Sequence, residues 1–436
     1  MSTKGQTGLI RGIGRWSLVA LVINSIIGSG IFGLPAPVAA LLGNRSPLAV
    51  LVAGVAVGVV IACYAEVSSY FTDAGGPYLW TRTAFGPLIG IETGWLLWLV
   101  RLTAPAANAN LFVNYLAEFW PHAKHALPRF VILSLLIGIL AIINYRGVRS
   151  GAQFSNLSTV AKLVPLLILI IAGVLYASTS HRVQPSIITA GGGARAWLQA
   201  ILLFIFTYGG FEGALIVMSE SKHPRQDAPF ALFAALITCA VVYTSVQWVV
   251  VRVLADAAHS ERPLADAARV MMGSGGGALV AIGALVSTYG YLGANMLSVP
   301  RITFAFAEKG DFPSIFAAVH PRFRTPYFSI VVFALLTWAF SLLGSFSWNV
   351  TLSAVARLFC YGFGCAALPV LRKQQPGRGW FHLPAGTAFA VLAIAICAVL
   401  ITRIDLGGSL ILIATMLVAF INWLLIRRPV RKEGRD

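Results

Sequence analysis

The sequence predicts an all-α polytopic membrane protein with about twelve transmembrane helices. Its composition is the first observation: 58% of the 436 residues are hydrophobic and only 11% are charged, whereas charged residues make up roughly 25% of a soluble protein. The mean hydropathy of +0.81 agrees. The second observation is that apolar stretches of about 20 residues, long enough to cross a bilayer as a helix, recur along nearly the whole chain.

Twelve spans follow from these apolar stretches in chain order. We predict them at 15–37, 47–70, 86–118, 130–146, 157–178, 195–218, 230–252, 276–306, 327–345, 349–371, 383–402 and 406–427. The whole chain, 1–436, is then a single transmembrane domain. All five cysteines fall inside apolar stretches without metal-ligand spacing, so we interpret them as packing residues.

The distribution of basic residues predicts the orientation. An even number of spans places both termini on one side, and twenty of the 32 Lys and Arg residues fall on that side, against nine on the other and three within spans. This bias predicts cytoplasmic termini in the cell (cytoplasmic or inner) membrane. The net charge of +17 therefore orients the chain and faces anionic lipid, and we expect no nucleic-acid partner.

Two spans carry glycine clusters near their centres. The first contains IIGSGIF from Ile26, and the sixth contains IFTYGGFEGA from Ile205. They lie five spans apart, in matching positions of two halves, and such pairs indicate a secondary transporter built from inverted repeats, with its site near the bilayer midplane. Unpaired backbone groups are tolerated there only if they line a cavity. Half-helix N–H groups would bind an anion, and the preceding carbonyls a cation, which together suit an amino acid. The alternative is close packing between helices, which remains our interpretation of Gly33 and Pro35.

Several motifs identify a family. The chain resembles the amino acid–polyamine–organocation (APC) superfamily, and in particular its prokaryotic amino acid permeases, in IIGSGIFGLP, YAEVSSYFTDAGGPYLW, FGPLIGIETGWLLW, TYGGFEGALIVMSESKHPRQDAPFAL, VPRITFAFAEKGDFPSIFAAVHPRFRTP and AVARLFCYGFGCAALPVLRK. The resemblance implies two inverted five-helix repeats, at about 15–178 and 195–371, with broken helices 1 and 6. Two peripheral helices would follow at about 383–427.

The resemblance also implies a substrate site. The backbone N–H groups of Ser29, Gly30 and Ile31, freed by the break at Gly28, and the Ser29 hydroxyl would bind a carboxylate. The carbonyl of Ile26, with those of Phe206 and Gly209, would bind an ammonium group, and the Phe206 ring would occlude the site. Asn295 and Asn108 are the remaining candidates for lining the cavity.

Charged residues within spans need partners because inserting a charge costs about 2.5–3.5 kcal/mol. Lys162 either snorkels to the inner interface or, as in sodium-independent relatives, takes the place of sodium by bridging carbonyls near Gly28 to Ser287 or Thr288. Glu212 either carries a proton or holds a hydrogen-bond network. We expect Arg101 and Arg357 to form structural or gating ion pairs, with direct substrate contact as the alternative.

The function predicted is sodium-independent secondary transport of amino acids, with neutral ones favoured, by proton coupling or exchange. An exporter of hydrophobic amino acids and a carrier of cationic amino acids or polyamines are alternatives, and a non-transporting membrane sensor or subunit is the alternative of another class. The sequence has no nucleotide-binding motif, metal cluster or nucleophile–His pair within a span. We therefore expect no enzyme activity, cofactor or metal, and leave monomer or homodimer open.

Overall fold

The computed structural model describes residues 14–71, 76–147, 151–179, 193–217, 223–377 and 379–426. In these ranges the protein is helical, which confirms the predicted fold class. The helices are α1 Arg15–Ile26, α2 Ser29–Gly33, α3 Pro35–Leu42, α4 Ser46–Ser69, α5 Gly76–Phe85, α6 Pro87–Leu116, α7 Ala126–Arg146, α8 Gly151–Thr179, α9 Ala194–Tyr208, α10 Phe211–Val217, α11 Pro224–Val253, α12 Pro263–Glu308, α13 Tyr327–Leu343, α14 Phe346–Gln374, α15 Gly386–Ile401 and α16 Leu406–Ile426.

The helices match the twelve predicted spans in order. Within the described ranges, nine helical segments are long and apolar enough to cross a membrane, and three shorter apolar helices, α1, α13 and α15, complete the series. Two features differ from the prediction. Helix α5 adds ten residues between spans 2 and 3, and α12 begins thirteen residues before the predicted span because it continues through a kink at Gly273 (φ +73°).

The bundle has a central layer and an outer layer. In the most apolar 18-residue stretch of α6, 78% of the residues are buried, compared with 22% in the corresponding stretches of α7 and α16. Helix α6 packs against α12 and α14, and α1 packs against α11. The outer helices carry exposed leucine and isoleucine side chains, as expected for surfaces that face lipid. The two helix breaks therefore lie among central helices, while the repeat boundaries stay a prediction.

Candidate substrate site

Both predicted breaks are present, and they lie against each other. The first separates α1 from α2: Ile27 is extended (φ −72°, ψ 100°) and Gly28 is non-helical (φ −130°, ψ −149°). The second separates α9 from α10, where Gly210 has φ +118°. A Cβ atom on Gly210 would lie 2.1 Å from the carbonyl oxygen of Ser25. Glycine is therefore required at Gly210 both by its backbone conformation and by the close approach of the two breaks.

Other glycines in the breaks are explained by packing. A Cβ atom on Gly30 would lie 2.7 Å from the Thr207 hydroxyl oxygen, and one on Gly33 would lie 2.4 Å from the Phe346 ring. Pro35 is the first residue of α3, a position that needs no backbone N–H. Local packing thus accounts for Gly33, as the sequence suggested.

The first turn of α2 presents the predicted hydrogen-bond donors. Ser29, Gly30 and Ile31 are its first three residues, and all three are buried. Backbone N–H groups in the first turn of a helix have no acceptor within that helix. The Ser29 hydroxyl is also buried and has no hydrogen-bond partner among the described residues. Because buried polar groups are nearly always paired, this end of α2 is suited to an anionic ligand.

Carbonyl groups from both breaks converge on a tyrosine that sequence analysis missed. The Tyr243 hydroxyl, on α11, lies 3.2 Å from the carbonyl oxygen of Ile26 and 3.2 Å from that of Thr207. Its side chain is fully buried. Nothing in the sequence distinguishes Tyr243 from an aromatic residue that merely fills space in an apolar span.

Lys162 reaches the first break from α8. Its ammonium group donates to the carbonyl oxygen of Ile27 at 3.1 Å, and to the side-chain and backbone oxygens of Asn24 at 3.1 and 3.3 Å. The residue is 3% exposed, so its charged group is buried within the bundle. These carbonyls adjoin Gly28, as the bridging interpretation requires.

The predicted bridge from Lys162 to the hydroxyl of Ser287 or Thr288 is not among the described hydrogen bonds. The Thr288 hydroxyl donates to Ala284 within its own helix at 2.8 Å, and the Ser287 hydroxyl has no partner among the described residues. The described hydrogen bonds of Lys162 therefore go to carbonyl and amide oxygens of the first span alone.

Glu212 lies at the second break and forms a buried ion pair. Its Oε1 accepts a hydrogen bond from Arg357 Nε at 2.9 Å, and its Oε2 accepts one from the backbone N–H of Gly210 at 2.9 Å. Arg357 is 3% exposed and Glu212 is 1% exposed. Arg101 packs against Gly213 and lines an internal cavity together with Glu212, Trp98, Thr303 and Phe306.

The Arg357 guanidinium also contacts the residues expected to bind an ammonium group. Its Cζ lies 6.0 Å from the centroid of the Phe206 ring, and its Nη1 lies 3.5 Å from the Phe206 carbonyl oxygen, which also accepts from Gly209 N at 3.1 Å. A Cβ atom on Gly209 would lie 2.2 Å from Nη1. The Phe206 carbonyl therefore already has two donors.

The two candidate asparagines are buried on central helices. Asn108 on α6 donates to Ala104, and Asn295 on α12 donates to Tyr291, each within its own helix. Their side-chain oxygens have no partner among the described residues. The described hydrogen bonds join neither residue to the breaks, although α12 reaches the first break through the Tyr291 ring, against which Gly28 packs.

Two ion pairs join helices at the end of the bundle where α1 begins. Arg15 pairs with Asp227 of α11 at 3.0 Å. Arg372 of α14 donates to both carboxylate oxygens of Glu66 at 2.8 and 2.7 Å. At the opposite end, a polar pocket is lined by Gly33, Asn110, Arg129 and Phe346, among others.

Two opposed central breaks in an apolar helical bundle are typical of membrane transporters. The chain belongs to the amino acid permease family, whose profile matches residues 13–421. This confirms the resemblance to the APC superfamily.

Several curated relatives span most of this chain. The serine/threonine exchanger SteT of Bacillus subtilis is 29% identical over 410 residues, which cover 89% of this chain and 90% of SteT. The branched-chain amino acid permease BcaP of the same organism is 27% identical and covers 98% of this chain and 93% of BcaP. The methylthioribose transporter of Bacillus subtilis is also 27% identical, over 89% of this chain and 87% of that protein.

Proposed function

We propose that this permease is a sodium-independent secondary transporter of amino acids, with neutral ones favoured, that works by alternating access. The observation that carries the proposal is the first turn of α2. Its buried residues Ser29, Gly30 and Ile31 have backbone N–H groups without an acceptor inside the helix, and the Ser29 hydroxyl has no partner among the described residues. A substrate carboxylate would satisfy these donors at the positive end of the half-helix.

The amino group of the substrate would bind on the other side of the same break. The Ile26 carbonyl has one described donor there, the Tyr243 hydroxyl at 3.2 Å, and a carbonyl oxygen can accept a second hydrogen bond. The Phe206 carbonyl is a weaker candidate because Gly209 and Arg357 already donate to it. A zwitterion thus meets donors and acceptors from one interrupted helix. Substrate sites formed by discontinuous helices are typical of transporters that work by alternating access.

The position of Lys162 supports sodium independence. Its ammonium group binds the Ile27 carbonyl and both oxygens of Asn24. These are the oxygen ligands that a sodium ion at this break would need, and a second cation beside the first would be repelled. A lysine that can release its proton there also allows proton coupling, while the serine/threonine exchange named for SteT is the precedent for exchange.

Alternating access requires contacts that open and close at the two ends of the bundle. The pairs Arg15–Asp227 and Glu66–Arg372 would hold one end closed, and Gly33 against Phe346 would narrow the other. In the predicted orientation, with cytoplasmic termini in the cell membrane, the end held by these two pairs is the cytoplasmic one.

The test is uptake of radiolabelled amino acids into liposomes containing the purified protein, with and without sodium and pH gradients. Uptake without sodium that Lys162→Met abolishes is the expected result. Lys124→Met is the matched control because Lys124 ends a short 3-10 helix between α6 and α7 and pairs with Glu261 at the surface. Uptake that requires sodium would refute the proposed role of Lys162 in sodium independence. Failure of every amino acid to be taken up would refute the proposed transport of amino acids.

A further inference from the structure

The breaks are surrounded by more positive than negative charge. Lys162, Arg101 and Arg357 approach them from three helices, and the carboxylate that the structure describes beside them is that of Glu212. Arg357 and Lys162 are almost completely buried, so solvent screens their charge little.

One further carboxylate, that of Glu92, lies on α6 away from Arg101. Glu92 precedes Arg101 by nine residues on the same helix, which places it roughly 13 Å further along the axis at a rise of 1.5 Å per residue. This spacing keeps the Glu92 carboxylate from pairing directly with Arg101.

Arg357 contacts two of the predicted ammonium-binding residues, Phe206 and Gly209. Its guanidinium lies over the Phe206 ring and against Gly209, while its Nε is bound to Glu212. The ring that would occlude a substrate is thus already occupied on one face by a positive charge, and a second cation placed there would meet repulsion.

We propose that this cationic excess makes the permease reject amino acids and amines of net positive charge, with Arg357 as the specificity-determining residue. The inference rests on the proposed transport function and narrows its substrate class to zwitterionic and acidic amino acids. One net positive charge in excess, about 7 Å from a bound unit charge at an effective dielectric constant of about 20, would weaken its binding roughly 50-fold relative to a neutral isostere. Polyamines are rejected more strongly because they carry several positive charges and no carboxylate.

The experiment compares substrates of equal shape and different charge. Purified protein in liposomes is tested for uptake and competition with two pairs of different length: asparagine with 2,4-diaminobutyrate, and citrulline with arginine. For each pair whose neutral member is transported, we expect the neutral member to bind at least tenfold more tightly than the cationic member.

Three variants separate charge from shape. Arg357→Gln removes one positive charge, and its preference for the neutral member should fall at least fivefold. Arg357→Lys keeps the charge and should keep the preference. The double variant Arg357→Gln with Glu212→Gln leaves the net charge unchanged and strands no buried charge, so it should fold and stay close to wild-type selectivity.

Each outcome decides the proposal. Equal affinity of the wild type for both members of a pair, or unchanged selectivity in Arg357→Gln, would overturn it. A loss of selectivity in the double variant equal to that in Arg357→Gln would show that the shape of the arginine matters rather than the charge balance. If no amino acid binds to the wild type, the proposed function and this inference both fail.

Discussion

Replacing Gly210 with alanine tests whether the two breaks form one site. The added Cβ would lie 2.1 Å from the Ser25 carbonyl oxygen, whereas real Cβ atoms essentially never approach closer than 3.0 Å. The two breaks must therefore separate by about 0.9 Å. Since Ser25 contributes a backbone atom, no side-chain rotation can relieve the contact.

The expected cost has two parts. Holding a non-glycine residue at φ +118° costs about 1–3 kcal/mol, and overpacking adds about 1–3 kcal/mol. The free energy of unfolding should therefore fall by about 2–6 kcal/mol. A displacement near 1 Å in a binding site lowers activity roughly 100-fold, and we expect a similar loss of uptake.

Thermal unfolding of the purified protein and uptake by liposomes measure the two effects. Gly138→Ala is the control because a Cβ atom at Gly138, within α7, would meet nothing within 4 Å. That variant should match or exceed the wild type in stability, since alanine is the better helix former. Wild-type uptake and stability in Gly210→Ala would refute the packing of the two breaks against each other.

Two further predictions concern single polar groups. Ser29→Ala should weaken amino acid binding about 10- to 100-fold, because it removes a hydrogen bond to a charged group. Its melting temperature should stay unchanged because the hydroxyl has no described protein partner, and calorimetric titration checks the affinity; unaltered affinity would exclude the hydroxyl from the site. Arg372→Met should lower the free energy of unfolding by up to about 3–5 kcal/mol, because the fully buried Glu66 loses its guanidinium partner and keeps the Leu383 N–H as a donor. Thermal unfolding measures this loss, Glu66→Gln in the same chain should recover part of it, and an undiminished melting temperature in Arg372→Met would contradict the argument.

The fold and the breaks could be predicted because their signals are local. Apolar length specifies each span, and the glycines of IIGSGIF and GGFEG mark the positions where the helices stop. Four candidate residues could also be identified from the sequence, because charge is rare within apolar spans: Lys162, Glu212, Arg101 and Arg357.

The partners of these residues could not be predicted. Arg357 and Glu212 are 145 residues apart, and no spacing rule connects two helices across a bundle. Tyr243 escaped notice for a different reason, because a buried tyrosine used for packing and one that joins two carbonyls look identical in sequence. Helix α5 was missed because ten residues outside the apolar spans carry no membrane signal.

The contacts of the buried charges assign different roles to Lys162 and Glu212. Glu212 is bound by Arg357 and by the Gly210 amide, so protonating it would leave a buried guanidinium without its counter-ion, which is strongly unfavourable. Lys162 donates to carbonyl and amide oxygens, so releasing its proton strands no described carboxylate. If proton movement drives transport, we therefore expect Lys162 to exchange the proton and Glu212 to stay ionised as part of the frame that holds the second break.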